Sequence, residues 1–218
     1  MPTVLSDIEV RVLGSLVEKQ LTTPEYYPLT INALTLACNQ KNNRNPVTAY
    51  SEEQVSQAVE TLRERNLSYI FYGSTSRVPK YKHVMPEVLH LSQPQLALMC
   101  VLMLRGSQTV GELRERASRA HEFSSLEEVE ATLNSLITRE PEPLVTRLPR
   151  QAGQKEVRFA HMLAGEVAVD TGTETPSPRR TSTQQIDRVT KLEEDVSVLK
   201  NQVGQLQQQF EDFKKQFE

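Results

Sequence analysis

The feature that most constrains this fold is an order of predicted elements, three helices followed by a β-hairpin, that occurs twice along the chain. Each predicted helix starts at a Ser or Thr, residue types favoured at the N-cap, and continues with apolar residues at helical spacing. The six N-cap residues are Ser6, Thr30 and Ser51 in the first copy and Ser92, Thr109 and Ser125 in the second. Since the caps and apolar stripes recur in the same order while the loops differ in length, the sequence predicts a tandem duplication of one supersecondary unit.

Each copy ends in aromatic and β-branched runs around a Gly-containing turn, which is typical of a β-hairpin. The first hairpin is predicted from residues 69–72 and 78–84, and the second from residues 144–148 and 156–161. Three helices followed by a hairpin make the winged-helix arrangement, a relative of the helix-turn-helix. The predicted fold class is therefore mostly α, within the α+β class, with two tandem winged-helix domains.

The domain boundaries are predicted from changes in pattern along the chain. A stretch rich in Gly, Glu, Thr and Ser, with Pro176 and Pro178, follows the second hairpin and has the composition of a disordered linker. The predicted segments are winged-helix domain 1 at 1–86, winged-helix domain 2 at 87–164, a flexible linker at 165–185 and a coiled-coil helix at 186–218.

The C-terminal segment repeats an apolar residue every seven positions, with a second apolar residue three positions later, as a coiled coil does. Valine at the first of these positions and leucine at the second favour a parallel dimer. The alternative is a single amphipathic helix that folds back onto the domains. The predicted dimerisation residues are Val189, Leu192, Val196, Leu199, Val203, Leu206, Phe210 and Phe213.

The sequence lacks the motifs of the common enzyme classes. It has no phosphate-binding glycine loop, no HExxH and no nucleophile elbow, and its four histidines are scattered. Cys38 and Cys100 lie too far apart for a metal-binding or redox pair, so we expect buried thiols. We therefore expect a non-enzymatic protein with no catalytic residues, no cofactor and no metal.

No apolar run approaches the roughly 20 residues that a membrane helix needs. Residues 1–19 alternate charged and apolar side chains, which a signal peptide does not. We therefore expect a cytoplasmic protein without a membrane partner.

The connections between the first three helices are longer in the first copy than in the second, and they are rich in Tyr, Pro and Asn. Because the second copy is predicted to fold without these extra residues, we interpret them as candidates for function. Tyr26, Tyr27, Asn42 and Asn43 are the predicted partner-binding residues, since exposed tyrosines are enriched at interfaces. The alternatives are that the tyrosine rings pack over the second helix and that the asparagines make turns.

The segment LSDIEVRVLGSLVEKQLTTPEYYPLTINALTLACNQKNNRNPV, residues 5–47, resembles the YceH-like family of uncharacterised bacterial proteins. The resemblance covers roughly residues 5–165 and implies a tandem winged-helix architecture in a bacterial, cytoplasmic protein. It implies no established activity, and it does not extend to the C-terminal segment.

The net charge of −3 gives no overall attraction to nucleic acid, so positive charge must be local if it matters. The third helix of each copy is rich in glutamate, which repels phosphates, whereas both hairpins are basic. The first hairpin carries three basic residues and no acidic one, and the second carries four basic residues and only Glu156. The predicted nucleic-acid-binding residues are Lys41, Arg44, Arg77, Lys80, Lys82, Arg147, Arg150, Lys155 and Arg158.

Two functions remain open at this point. The first is a DNA-binding or regulatory protein that contacts double-stranded DNA mainly through its basic hairpins and self-associates through its C-terminal helix. The alternative is a protein-interaction scaffold that uses the Tyr26–Arg44 surface to bind an unidentified protein, without nucleic acid. The hairpin cations also have a simpler explanation, since charged hairpin tips are often merely solvated.

Overall fold

A computed structural model of the chain describes residues 4–72, 78–150 and 156–165. These residues form a helix-rich α+β structure with two short antiparallel hairpins, as the sequence predicts at this coarser level. The predicted coiled-coil helix with its eight apolar residues, and the linker from residue 166 on, lie outside the described residues. In chain order the elements are α1 (Asp7–Thr22), a one-turn 3-10 helix (Pro24–Tyr26), α2 (Ile31–Cys38), α3 (Glu52–Glu64), β1 (Ser68–Phe71), β2 (Lys80–His83), α4 (Met85–Leu89), α5 (Gln93–Arg105), α6 (Val110–Ala117), α7 (Leu126–Ile137), β3 (Val145–Arg147) and β4 (Phe159–His161).

The predicted N-caps stand directly before α1, α2, α3, α5, α6 and α7. At α6 the capping box closes in both directions, because Glu112 N–H donates to Thr109 Oγ1 at 3.2 Å and Thr109 N–H donates to Glu112 Oε2 at 2.9 Å. The order of three helices and a hairpin thus occurs twice, and we name the copies the first repeat (α1 to β2) and the second repeat (α5 to β4).

A backbone bridge adds a third extended segment to each hairpin. Leu29 exchanges two backbone hydrogen bonds with Tyr81 of β2, and Gln108 does the same with Phe159 of β4. Both residues lie directly before the N-cap of the repeat's second helix, Thr30 or Thr109. The bridge therefore fixes where each hairpin sits against the helices.

The two repeats share one hydrophobic core, centred on α1 and α5. The helices approach closely at Gly14, where an added Cβ would lie 3.0 Å from Leu104 Cδ2 and 3.1 Å from Met103 Cβ. Both cysteines are free and buried, and the Cys100 thiol donates to the Gly14 carbonyl at 3.8 Å. The boundary predicted between residues 86 and 87 falls inside α4.

Across the three described ranges, no helix has both the length and the apolar character needed to cross a membrane.

Candidate functional site

The outer face of the first hairpin combines two lysines with two aromatic rings. Lys82 pairs with Tyr69 and Lys80 with Phe71, and residues opposite each other on antiparallel strands point to the same side. The Lys82 ammonium lies 5.8 Å from the centre of the Tyr69 ring, within cation–π range. Tyr69 is 37% exposed and Phe71 43% exposed, so this face presents apolar surface beside its charges. We call these four residues the basic–aromatic face.

The opposite side of the same hairpin is anchored in the core. Tyr81 and His83 are buried, and the Tyr27 hydroxyl accepts a 2.7 Å hydrogen bond from the His83 backbone N–H. Burial raises the pKa of Tyr27 and lowers the pKa of His83 to about 4, with the Lys82 charge adding to the effect on His83. Tyr27 therefore holds the hairpin in place, and its role in partner binding stays a prediction.

In the second hairpin, two of the three described basic residues contact other groups of the protein. Arg158 donates to the Ser107 carbonyl at 2.8 Å and to Glu112 Oε2 at 3.1 Å, so it supports the capping box of α6. The Arg147 guanidinium lies 5.6 Å from the centre of the buried Phe159 ring. Of the predicted contacts in this hairpin, Arg147 and Arg150 are exposed and Arg158 is half-buried. Lys155, like Arg77 of the first hairpin, lies outside the described residues.

Arg44 is buried, which corrects its prediction as a nucleic-acid contact. Its guanidinium forms a two-pronged ion pair with Glu18, at 2.6 Å and 3.0 Å, and donates to the Ala37 carbonyl at 2.8 Å. Burial by itself would raise the pKa of Glu18, but the hydrogen bonds and charge of Arg44 outweigh it and hold that pKa below its ordinary value. The charge of Arg44 is thus committed inside the protein.

Sequence reasoning also missed a second buried guanidinium, that of Arg11. It donates to the Cys38 carbonyl at 3.1 Å and to the Pro46 carbonyl at 2.7 Å, and so ties the loop after α2 to α1. Burial lowers the pKa of Arg11, and the positive charge of Arg44 lowers it further. The sequence does contain a signal for the burial of Arg11. It stands between Val10 and Val12, in a helix whose apolar residues are not confined to one face.

The loop between α2 and α3 also connects the two repeats. The Asn45 backbone N–H donates to the Leu104 carbonyl at 2.9 Å, which satisfies a free carbonyl at the end of α5. Asn43 accepts a hydrogen bond from Arg105 and has a backbone φ of 60°, a conformation that asparagine tolerates well. The extra residues of the first repeat therefore help to build the fold, contrary to the expectation that they are dispensable for it.

Tyr26, Lys41, Asn42 and Asn43 are the members of the predicted surface that remain exposed, with Tyr26 at 74%. Arg44 is buried and Tyr27 is half-buried, so the structure does not expose the whole predicted set. Among the described residues, no group of three His, Cys, Asp or Glu side chains is placed to hold a metal ion.

Comparison with known proteins identifies close relatives over the whole chain. A family model described as "Protein of unknown function, DUF480" matches residues 5–154. The UPF0502 protein of Geotalea uraniireducens is 51% identical over 217 residues, or 98% of both chains. The UPF0502 protein of Geobacter sulfurreducens is 48% identical over 221 residues, or 100% of both chains. The UPF0502 protein of Opitutus terrae is 50% identical over 197 residues, or 90% of this chain and 84% of its own. The chain therefore belongs to the DUF480 (UPF0502) family of bacterial proteins, which confirms the family resemblance of residues 5–47.

Proposed function

We propose that this protein is a non-enzymatic, DNA-binding regulator built from two winged-helix domains, and that its basic–aromatic face contacts the DNA backbone. The winged-helix assignment is supported by the element order and by the equivalent bridges at Leu29 and Gln108. The observation that carries the proposal is the pairing of the half-buried Lys80 and Lys82 with the exposed rings of Phe71 and Tyr69 on one strand face.

The chemistry of this face suits phosphate and sugar contacts. Lysine ammonium groups neutralise phosphates without reading sequence, and the aromatic rings offer apolar surface to the sugars beside them. α3 is less suited to the major groove, because Glu52 and Glu53 occupy its exposed first turn. The protein would therefore bind duplex DNA through the first hairpin with little sequence preference.

The test is a fluorescence anisotropy titration of the full chain against a random-sequence duplex at several salt concentrations. Lys80→Glu with Lys82→Glu is expected to reduce the salt slope by about 2, because about one counterion-linked contact is lost per lysine. The matched control is Arg114→Glu with Arg119→Glu, which changes the net charge equally at exposed positions outside the hairpins.

Two results would overturn the proposal. One is the absence of duplex binding by the unmodified chain even at low salt. The other is an equal loss of affinity in the control variant, which would point to overall charge rather than to this face.

A second function, docking of a protein partner, is favoured by two exposed apolar side chains in the 26–44 segment. Tyr26 is 74% exposed and Leu36 is 65% exposed. A photo-crosslinking amino acid at position 36 would capture a partner in cells on this hypothesis, while the same group at Leu126, 44% exposed in α7, would not. Equal crosslinking from the two positions would reject docking at this segment.

A further inference from the structure

A cleft of about 720 Å³ lies between the two repeats, on a part of the surface that the proposed DNA contact does not use. It is bounded by the C-terminal part of α1, by residues 40–43, by one side of α5 and by the end of α6. Small-molecule sites commonly have volumes of about 300–1,000 Å³. The cleft is therefore of a size to enclose a small ligand.

Positive charge from both repeats converges on this cleft. Its five cationic side chains are Lys19 and Lys41 from the first repeat and Arg105, Arg116 and Arg119 from the second. Glu18 pairs with both Arg44 and Lys19, and Arg116 pairs with Glu112 outside the cleft. This leaves the Glu115 carboxylate against the charges of Lys41, Arg105 and Arg119. Lys41 and Arg119 are exposed and take part in no ion pair within residues 4–72, 78–150 and 156–165. The cleft thus offers more positive charge than its own carboxylates neutralise.

The crowding of these cations has a cost within the protein. Burial lowers the pKa of Arg105, and the nearby charge of Arg116 lowers it further. Arg105 also donates to Asn43, so its guanidinium is held at the junction of the two repeats. A bound anion would relieve the repulsion between these like charges.

The remaining lining favours a compact, highly charged ligand over an extended apolar one. Ala97, Cys100, Val101 and Leu104 form the α5 side, and all four are buried, so they present little apolar surface to a ligand. Gln40, Asn42 and Asn43 also line the cleft, and their side-chain amides are hydrogen-bond donors for anionic oxygens. The hydroxyls of Thr22, Thr23 and Ser118 already donate to backbone carbonyls.

We propose that this cleft binds a diphosphate group, either as free pyrophosphate or as part of a nucleotide. A diphosphate carries several negative charges on closely spaced oxygens, and arginine guanidinium groups bind such oxygens in a two-pronged geometry. The cations come from both repeats, so the ligand would be held across their junction. This inference is independent of the proposed DNA contact, because the cleft shares no lining residue with the basic–aromatic face.

The test is isothermal titration calorimetry of the full chain with inorganic pyrophosphate, ADP and adenosine as separate ligands. Pyrophosphate and ADP are expected to bind and adenosine is not, because adenosine lacks the phosphates. A higher affinity for ADP than for pyrophosphate would identify a nucleotide as the preferred source of the group, and the reverse would identify free pyrophosphate.

Lys41→Glu with Arg119→Glu is expected to weaken pyrophosphate binding by about 10- to 100-fold, since two charge-assisted contacts are lost. Both side chains are exposed, and the fold is checked by circular dichroism and thermal melting. Lys80→Glu with Lys82→Glu is the matched control, because it changes the net charge equally and leaves the cleft intact.

The inference would be overturned if pyrophosphate gave no heat at low salt, or if both double variants weakened pyrophosphate binding equally. Adenosine binding as tightly as ADP would also overturn it. A last contrary outcome is duplex DNA binding that needs Lys41 and Arg119 while pyrophosphate does not bind. The two proposals fail separately, since loss of duplex binding in the hairpin variant tests only the DNA contact.

Discussion

The two hairpins hold equivalent places in their repeats, yet their basic residues have different surroundings. In the first hairpin, Lys80 and Lys82 stand on an outer face beside exposed aromatic rings. In the second, Arg158 is bonded to Glu112 and Ser107, and Arg147 lies over the buried Phe159. By sequence alone, the two hairpins have the same net charge. The structure distinguishes them by what lies beside each cation, exposed rings in the first hairpin and a carboxylate, a carbonyl or a buried ring in the second.

The Arg44–Glu18 ion pair of the first repeat is more buried than the Arg158–Glu112 ion pair of the second. This difference predicts the largest effect on stability. Glu18 is 14% exposed at its side chain, so Arg44→Ala would leave a largely buried carboxylate with only the longer, 3.6 Å contact to Lys19. We expect a loss of about 3–5 kcal/mol in the free energy of unfolding, measured by urea denaturation. Arg158→Ala in the second repeat breaks a more exposed pair and should cost about 1 kcal/mol or less. Equal losses in the two variants would remove the distinction between the pairs.

The helix glycines of the two repeats predict the next largest effect. Gly14→Val would place a branched side chain where the Leu104 side chain already lies 3.0 Å from a single Cβ. We expect a loss of up to about 3 kcal/mol, because over-packing separates α1 from α5. Gly111 in α6 has open space around it, so Gly111→Ala should be neutral or stabilise by up to about 1 kcal/mol. Thermal melting would compare the two variants, and an unchanged melting temperature for Gly14→Val would contradict the close helix contact.

The histidines at the ends of the hairpins predict a matched response to acid. His83 and His161 occupy equivalent strand ends, and burial lowers the pKa of each to about 4. In the unfolded chain, an exposed histidine protonates near pH 6.5, well before the buried one does. The contribution of the two histidines to stability is therefore complete above pH 6.5 and is lost as the pH falls toward 4. Each histidine should lower the free energy of unfolding by about 2 kcal/mol when the pH falls from 7 to 5.

Urea denaturation of His83→Asn at the two pH values would check this response. The variant should lose less stability between pH 7 and pH 5 than the unmodified chain does. His90→Asn changes an exposed residue and is the control. An acid response of His83→Asn equal to that of the unmodified chain would exclude His83 as its source.

The smallest effect concerns DNA affinity and sharpens the contrast between the hairpins. Arg147→Glu with Arg150→Glu should weaken duplex binding by less than about tenfold, because the ring beside Arg147, that of Phe159, is buried, whereas the rings beside Lys80 and Lys82 are exposed. Lys80→Glu with Lys82→Glu should weaken it more in the same anisotropy assay. A larger loss from the second hairpin would reverse the assignment of the contact surface.

Local chemistry explains which parts of the fold were predictable. The N-caps and helix starts depend on residues within four positions of one another, and Thr109 with Glu112 is an example that the sequence predicts and the structure contains. The bridges at Leu29 and Gln108 depend on partners 50 or so residues away and leave no periodic signal. α4 is only five residues long, too short to show a helical period.

The candidate site was less predictable, because burial is a property of the whole fold. Arg44 and Lys41 belong to the same loop, yet Arg44 pairs with Glu18 inside while Lys41 is exposed. Tyr26 and Tyr27 are adjacent, yet only Tyr27 reaches the hairpin. The lysine–aromatic alternation of the first hairpin was predictable in part, since Lys80 and Lys82 share a strand face by the period of two.

The hydrogen bond from Asn45 to the end of α5 has a consequence for synthesis on the ribosome. Asn45, in the loop between α2 and α3, donates to the carbonyl of Leu104, a residue that is synthesised 59 codons later. Most residues of α1 facing α5 are likewise covered only once α5 exists. Nascent chains that expose only the first repeat should therefore be cleaved readily by protease, and resistance should appear once α5 has left the exit tunnel. The duplicated sequence is thus expected to fold as one late, cooperative event, rather than repeat by repeat.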